Sequence, residues 1–235
     1  MKARFTDPPV LLGGCARSGT TLLLSILSSH EDIFACPGET GAFDVLKEKD
    51  GELYLSRVDR LYRCILTHRI PAGAKRWCEK TPVNIKRIPQ IDRYFEGNFR
   101  LIQIVRDGRD VILSRHPLKA DEYWVSPERW VNDVSIGLEF SDHPNVHTIR
   151  YEDLINQFDE TIKGICSFLN IPLSDRILNW HEHARFRWSP ALFTDIGKLS
   201  NKSIGKWKNE EHTERVKELT SIPAAMELLE KYAYL

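Results

Sequence analysis

Apolar residues in this chain come in short runs separated by helical stripes, which predicts parallel strands joined by helical crossovers. Val10, Leu11 and Leu12 form one such run between Pro9 and Gly13, as an interior strand does. From Thr20 the period lengthens, with Leu22, Leu23, Ile26 and Leu27 on one helical stripe. Residues 33–36 and 75–79 predict two further strands, and 42–70 between them predicts a helical cover with one charged side. A helix over 85–95 follows, then a strand over 99–105, rich in apolar and β-branched residues, then a short helix over 111–115. Ser126 caps a helix to Phe140, with Pro127 in its first turn. The last strand spans 146–151. A long amphipathic helix over 152–170 turns Leu154, Phe158, Ile162, Ile165 and Leu169 inward and stops before Pro172. Residues 175–184 and 210–234 also read as helical. The stretch 189–207 has turn formers and lysines, among them Lys198, Lys202 and Lys206, without a period, and reads as a long functional loop. The pattern is that of an α/β fold, an open and mainly parallel sheet of about five strands flanked by helices.

Candidate chemistry gathers at the strand ends, where ligands of open α/β sheets bind. Between the first strand and its helix lies Gly13-Gly14-Cys15-Ala16-Arg17-Ser18-Gly19-Thr20-Thr21. Small residues let the backbone turn tightly, and the following helix N-terminus offers N–H groups and partial positive charge to an anion. Gly14 and Gly19 have the spacing of a nucleotide triphosphatase loop, but Thr20 stands where that loop has lysine, and Arg17 carries the cation instead. Glu39, in Pro37-Gly38-Glu39-Thr40-Gly41, follows the second strand. From position alone it is equally a catalytic carboxylate or a solvated loop residue. Lys80, before Thr81-Pro82, is open in the same way. Arg106 follows the strand over 99–105, and Ser114 lies eight residues on, placed to close on one phosphate. Asp107 also suggests a magnesium-binding carboxylate, although the adjoining Arg106 suits a phosphate better. Trp124 and Trp130 read as core.

Composition narrows the picture. A chain of 235 residues, 42% hydrophobic, buries one good core, and a single domain over 1–235 is expected. Lys plus Arg and Asp plus Glu are both 33, so no net field favours nucleic acid. Five cysteines without C-x-x-C spacing argue against zinc and against a disulfide framework. No apolar run is long enough to span a bilayer, and charge and proline precede the first strand, so a soluble, cytoplasmic chain without a signal peptide is expected.

Together these motifs resemble the sulfotransferases that use 3′-phosphoadenosine 5′-phosphosulfate (PAPS), above all the tyrosylprotein branch with the related carbohydrate-type and bacterial enzymes. The family's P-R-S-G-T-T-L is matched by Ala16-Arg17-Ser18-Gly19-Thr20-Thr21-Leu22, with Ala16 in place of proline. Its R-D-G-R with a later serine is matched by Arg106-Asp107-Gly108-Arg109 and Ser114. Arg150-Tyr151-Glu152-Asp153-Leu154 and Ser203-Ile204-Gly205-Lys206-Trp207 look like further landmarks. The resemblance implies a P-loop NTPase-like sulfotransferase fold and the following roles. Arg17, Ser18, Gly19, Thr20 and Thr21 would hold the 5′-phosphosulfate, and Arg106 with Ser114 the 3′-phosphate. Tyr151 would lie near the adenine, and Lys206, in a closing segment over 189–235, would cover the 3′-phosphate. Glu39 would be the base, with Arg17 and Lys80 beside the transferring group. PAPS would be the donor and 3′-phosphoadenosine 5′-phosphate (PAP) the product, with no metal. The acceptor would be a hydroxyl of a carbohydrate, peptide, lipid or small metabolite. Two other readings stay open: a P-loop kinase using ATP and magnesium through Thr21 and Asp107, and a non-catalytic PAP-binding module. Should Glu39 not be the base, His116 and His68 come next.

Overall fold

The computed structural model describes residues 4–44, 46–49, 52–55, 57–116, 118–185 and 199–235. In chain order the first half runs β1 (Val10–Gly13), α1 (Thr20–Ser28), β2 (Ile33–Ala35), β3 (Leu46–Lys49), β4 (Glu52–Leu55), α2 (Val58–Thr67), β5 (Arg76–Lys80), α3 (Ile88–Phe95) and β6 (Arg100–Val105). It continues with α4 (Gly108–Val111), β7 (Arg115–His116), β8 (Lys119–Tyr123), α5 (Pro127–Leu138), β9 (Val146–Arg150), α6 (Tyr151–Asn156) and α7 (Phe158–Leu169). The chain closes with α8 (Asp175–Leu178), α9 (Trp180–His183), α10 (Thr213–Thr220) and α11 (Pro223–Lys231).

The main sheet has five strands in the order β2-β5-β1-β6-β9, and each neighbouring pair is parallel. β1 and β5 are buried along their whole length; β1 is accordingly apolar throughout, whereas β5 buries the charged Arg76, Glu79 and Lys80. Side chains alternate across the sheet. Val10, Leu12, Ile102 and Ile104 meet α1 (Leu23, Leu24, Ile26, Leu27) and α7 (Ile162, Ile165, Leu169) on one face. Leu11 and Leu101 meet α2 (Leu61, Ile65) and α3 (Ile88, Ile91) on the other. A third cluster joins Trp130 and Val134 of α5 to Leu219 of α10 and Leu228 and Leu229 of α11. Trp130 is wholly buried, as expected. Because all five strands point the same way, their carboxyl ends, and the loops carrying Arg17, Glu39, Lys80, Arg106 and Tyr151, share one edge of the sheet.

Several sequence expectations need correction. The cover over 42–70 is not all helix: β3 and β4 form an antiparallel hairpin before α2, with Lys49 paired to Glu52. The two residues between them in the sequence, Asp50-Gly51, are the dipeptide that most favours two-residue hairpins, a local signal stronger than the period over that stretch. The helix over 85–95 is a 3₁₀ segment, Pro82–Arg87, running into α3, because Pro89 lacks the N–H that would continue an α ladder. The helix over 111–115 is instead α4, which ends at Val111. Ser114 therefore lies off the helix, at the foot of the β7–β8 hairpin, its carbonyl accepting the Trp124 N–H at 2.9 Å. The helix over 152–170 breaks at Gln157, where φ is −132° and ψ 49°. The helix over 175–184 is two short turns meeting at Asn179. The helix over 210–234 is split because Pro223 holds Ile222 extended. Of the loop over 189–207, residues up to 198 lie outside the described residues. From 199 onward it forms 3₁₀ turns at Asn201–Ser203 and Lys206–Lys208.

Candidate active site

The loop from β1 to α1 is built for close approach. Gly14 has φ +145°, and a Cβ there would lie 2.3 Å from the Ile104 carbonyl oxygen. Gly19, the N-cap of α1, has φ +98°, and its missing Cβ makes room for the Tyr151 ring, which a Cβ would meet at 2.5 Å. Between them Arg17 is held at φ +71°, a strained conformation for a side-chain-bearing residue and of the kind found at ligand clamps. Among the described residues no side chain caps α1 and no acidic residue sits in its first turn, so its N-terminal N–H groups and partial positive charge suit an anion.

Arg106 leaves the end of β6 and is buried. Its guanidinium lies over the Tyr151 ring at 4.6 Å, donates to the Arg17 carbonyl at 3.0 Å, and donates to the Ser203 carbonyl. The indole N–H of Trp130 fixes the Arg106 backbone by donating to its carbonyl at 3.1 Å. Burial, and then the nearby Arg106 cation, push the Arg17 pKa down from the ordinary arginine value. Two cations this close and this buried are relieved by an anion between them. The Ser18 hydroxyl in the same loop is buried and has no hydrogen-bond partner among the described residues, an arrangement costing about 1–3 kcal/mol. These features fit an anionic phosphate or sulfate group.

Lys80, at the end of β5, donates to Glu39 at 2.5 Å. The Lys80 side chain is 2% exposed and that of Glu39 50%, so the ammonium is the buried anchor and the carboxylate the accessible end. A single cavity of about 740 Å³ is lined by Arg17, Gly19, Thr20, Thr21, Glu39, Lys80, Arg106, Tyr151 and Lys206, together with Trp124, Arg129 and Trp180. That volume lies within the range of small-ligand sites. Ser18 and Ser114 do not line it.

Lys206 reaches the cavity on a segment tied down from outside it. Asp110 accepts the Gly205 N–H at 2.7 Å and the Trp207 N–H at 3.1 Å, the Trp207 ring lies 3.7 Å from the Arg109 guanidinium, and Tyr151 and Ser203 share a hydroxyl bond of 2.9 Å. In the sequence Trp207 stands in the 203–207 landmark and Asp110 has no assigned role, and nothing there signals that they touch. Asp107, weighed as a magnesium ligand, caps α4 and receives Arg109 through Nε at 2.9 Å and Nη2 at 2.8 Å, so both its oxygens are engaged within the fold. Glu79 was also missed. It is fully buried and gathers donors from Thr40, Thr81 and Asn84.

Comparison with known proteins accords with this geometry. Residues 7–225 match the family model described as the sulfotransferase domain. A putative protein-tyrosine sulfotransferase of Caenorhabditis briggsae is 28% identical over 74% of this chain and 69% of its own length. The protein-tyrosine sulfotransferase of Drosophila melanogaster is 24% identical over 74% of this chain but only 40% of its own. Among solved structures, the sulfotransferase domain from the curacin biosynthetic pathway superposes with a TM-score of 0.61 at 21% identity, covering 92% of this chain and 98% of that one. Mouse sulfotransferase SULT7A1, solved in complex with PAP, gives 0.61 at 20% identity, covering 97% of this chain and 88% of that one. With its five-stranded parallel sheet and a family match across most of its length, this chain belongs to the sulfotransferase domain family.

Proposed function

We propose that this protein transfers the sulfuryl group of PAPS to an acceptor hydroxyl. The observation that carries the reading is that Arg17 and Arg106, on loops after β1 and β6, line one cavity together with Glu39 and Lys80. Arg17, Thr20, Thr21 and the α1 N-terminus would hold the 5′ end of the donor. Arg106 and Lys206 would grip the 3′-phosphate, and the Tyr151 ring would face the adenine. Ser114, at the foot of its hairpin, is not needed in this set. The solved complex of the mouse relative with PAP supports the choice of nucleotide.

PAPS supplies an activated S–O bond. In the transfer that bond breaks, the acceptor oxygen bonds to sulfur, and the acceptor proton passes to the Glu39 carboxylate. Lys80, buried beneath Glu39, holds that carboxylate at the cavity wall and adds a cation beside the transferring group. A sulfuryl group carries less charge than a terminal phosphoryl group, so fixed Arg, Lys and N–H donors suffice to offset charge growing on the leaving phosphate. The engagement of Asp107 with Arg109 weighs against the kinase reading.

The test is turnover of radiolabelled PAPS with tyrosine peptides, simple phenols, sugars and lipid alcohols, tyrosine peptides first because named relatives are protein-tyrosine sulfotransferases. Glu39→Ala is expected to lower transfer by roughly 10²–10⁴ while leaving PAP affinity near wild type. Wild-type turnover in that variant overturns Glu39 as base. Tight PAP binding with no transfer to any acceptor supports the non-catalytic module instead.

A further inference from the structure

Glu79 is the penultimate residue of β5, in the middle of the sheet, and its side chain is fully buried. A carboxylate there is costly, and burial pushes its pKa above the usual carboxylate range, against the donors that stabilise the charged form. Those donors are specific. Oε1 accepts the Thr40 N–H at 3.2 Å, the Thr40 hydroxyl at 2.9 Å and the Thr81 hydroxyl. Oε2 accepts Asn84 Nδ2 at 2.9 Å. Each threonine passes the order on: Thr81 Oγ1 accepts the Gly41 N–H at 3.1 Å, and Thr40 Oγ1 accepts the Ala42 N–H at 3.2 Å. Asn84 Nδ2 also donates to the Leu12 carbonyl at 3.1 Å, in the strand that leads to the Arg17 loop.

These bonds converge from the segments that frame the chemistry. Thr40 follows Glu39, Thr81 follows Lys80, and the Glu39–Lys80 contact spans the gap between the two segments that Glu79 ties together. A group that only accepts suits a site where every neighbour donates, whereas glutamine would turn its NH₂ toward either the threonines or Asn84. We infer that Glu79 is a positioning residue whose buried carboxylate sets the placement of Glu39 against Lys80. The inference rests on the proposed sulfuryl transfer, because it assigns Glu79 an effect exerted through the base of that reaction.

The first test needs neither donor nor acceptor. In the unliganded protein, Glu79→Gln is expected to speed amide exchange of Thr40 and Gly41 by about tenfold, with α5 and β9 amides unchanged. The second is a cycle with Glu39→Ala, measured with labelled PAPS and the best acceptor from the screen above. Glu79→Gln alone is expected to lower kcat about 10- to 100-fold with PAP affinity within about twofold. In the Glu39→Ala background the same change costs less than about threefold. Should Glu79→Gln fail to fold, Thr40→Val, which keeps the carboxylate and the Thr40 N–H, goes through the same cycle with a several-fold loss expected. Unchanged exchange at Thr40 and Gly41, wild-type kcat, or an equal loss in both backgrounds overturns the role of Glu79. Wild-type turnover of Glu39→Ala removes the base assignment and any action through it. An inactive Glu39→Ala with a multiplicative cycle sinks Glu79 alone.

Discussion

Removing the Arg106 guanidinium separates the two ends of the proposed donor. Arg106 is buried, and each of its Nη atoms gives one N–H to the Arg17 or Ser203 carbonyl, which leaves three of the five guanidinium N–H groups for a phosphate, so Arg106→Ala deletes two backbone contacts as well as the charge facing the cavity. Hydrogen bonds to charged groups contribute about 1.5–3 kcal/mol each, and a guanidinium gripping a phosphate through two of them contributes about 3–5 kcal/mol. At about 1.4 kcal/mol per tenfold, PAP affinity is expected to fall by roughly 10²–10⁴. Adenosine 5′-monophosphate lacks the 3′-phosphate and reports only the loosened Ser203 segment, so its affinity is expected to fall by less than about tenfold. Isothermal titration of both nucleotides against both proteins gives the ratio directly, and thermal melting without ligand shows how much of the loss is stability. Equal weakening of the two nucleotides would falsify the 3′-phosphate role of Arg106, whatever the absolute affinities.

Two further outcomes follow from the same geometry. Asp110→Asn keeps an acceptor for one of the Gly205 and Trp207 amides and turns NH₂ toward the other, so PAP affinity is expected to drop about tenfold with faster exchange at one of those amides. Unchanged affinity and exchange would show that the Lys206 segment is held by other contacts. Glu152 receives the Asp107 N–H and the Tyr234 hydroxyl, and burial raises its pKa above the ordinary 4.5. A raised carboxyl binds its proton more tightly when folded, so its contribution to stability is complete below pH 4.5 and is lost as pH rises through the folded value. Denaturant melts of wild type and Glu152→Gln are expected to show the wild-type advantage shrinking from pH 4.5 toward neutrality, and a growing advantage contradicts that sign.

Much of the site was legible because each residue stands at a strand end and local pattern marks strand ends. The run Val10 to Leu12, the small residues after it and the helical stripe from Leu22 located the anion loop without any tertiary information. The run over 99–105 located Arg106 in the same way. Where local cues competed, the period misled: β3 and β4 paired as a hairpin inside an expected helix, Pro89 and Pro223 broke two others, and α4 ended before Ser114. The order of the strands was not legible at all. Only the tertiary structure sets β6 against β1 and brings the Arg106 guanidinium to the Arg17 carbonyl, 89 residues away.

What the sequence determined by itself, then, is the five strands of the main sheet and which side chains stand at their carboxyl ends. Those depend on neighbours within a few residues, whose spacing and backbone preferences act before any long-range contact forms. What only the fold decided is which ends adjoin, and which buried groups bind them. Glu79 beside Thr40, and Asp110 beneath Gly205 and Trp207, join segments distant along the chain. Such pairings arise because a buried polar group must find its partner somewhere in three dimensions, and no local period records where.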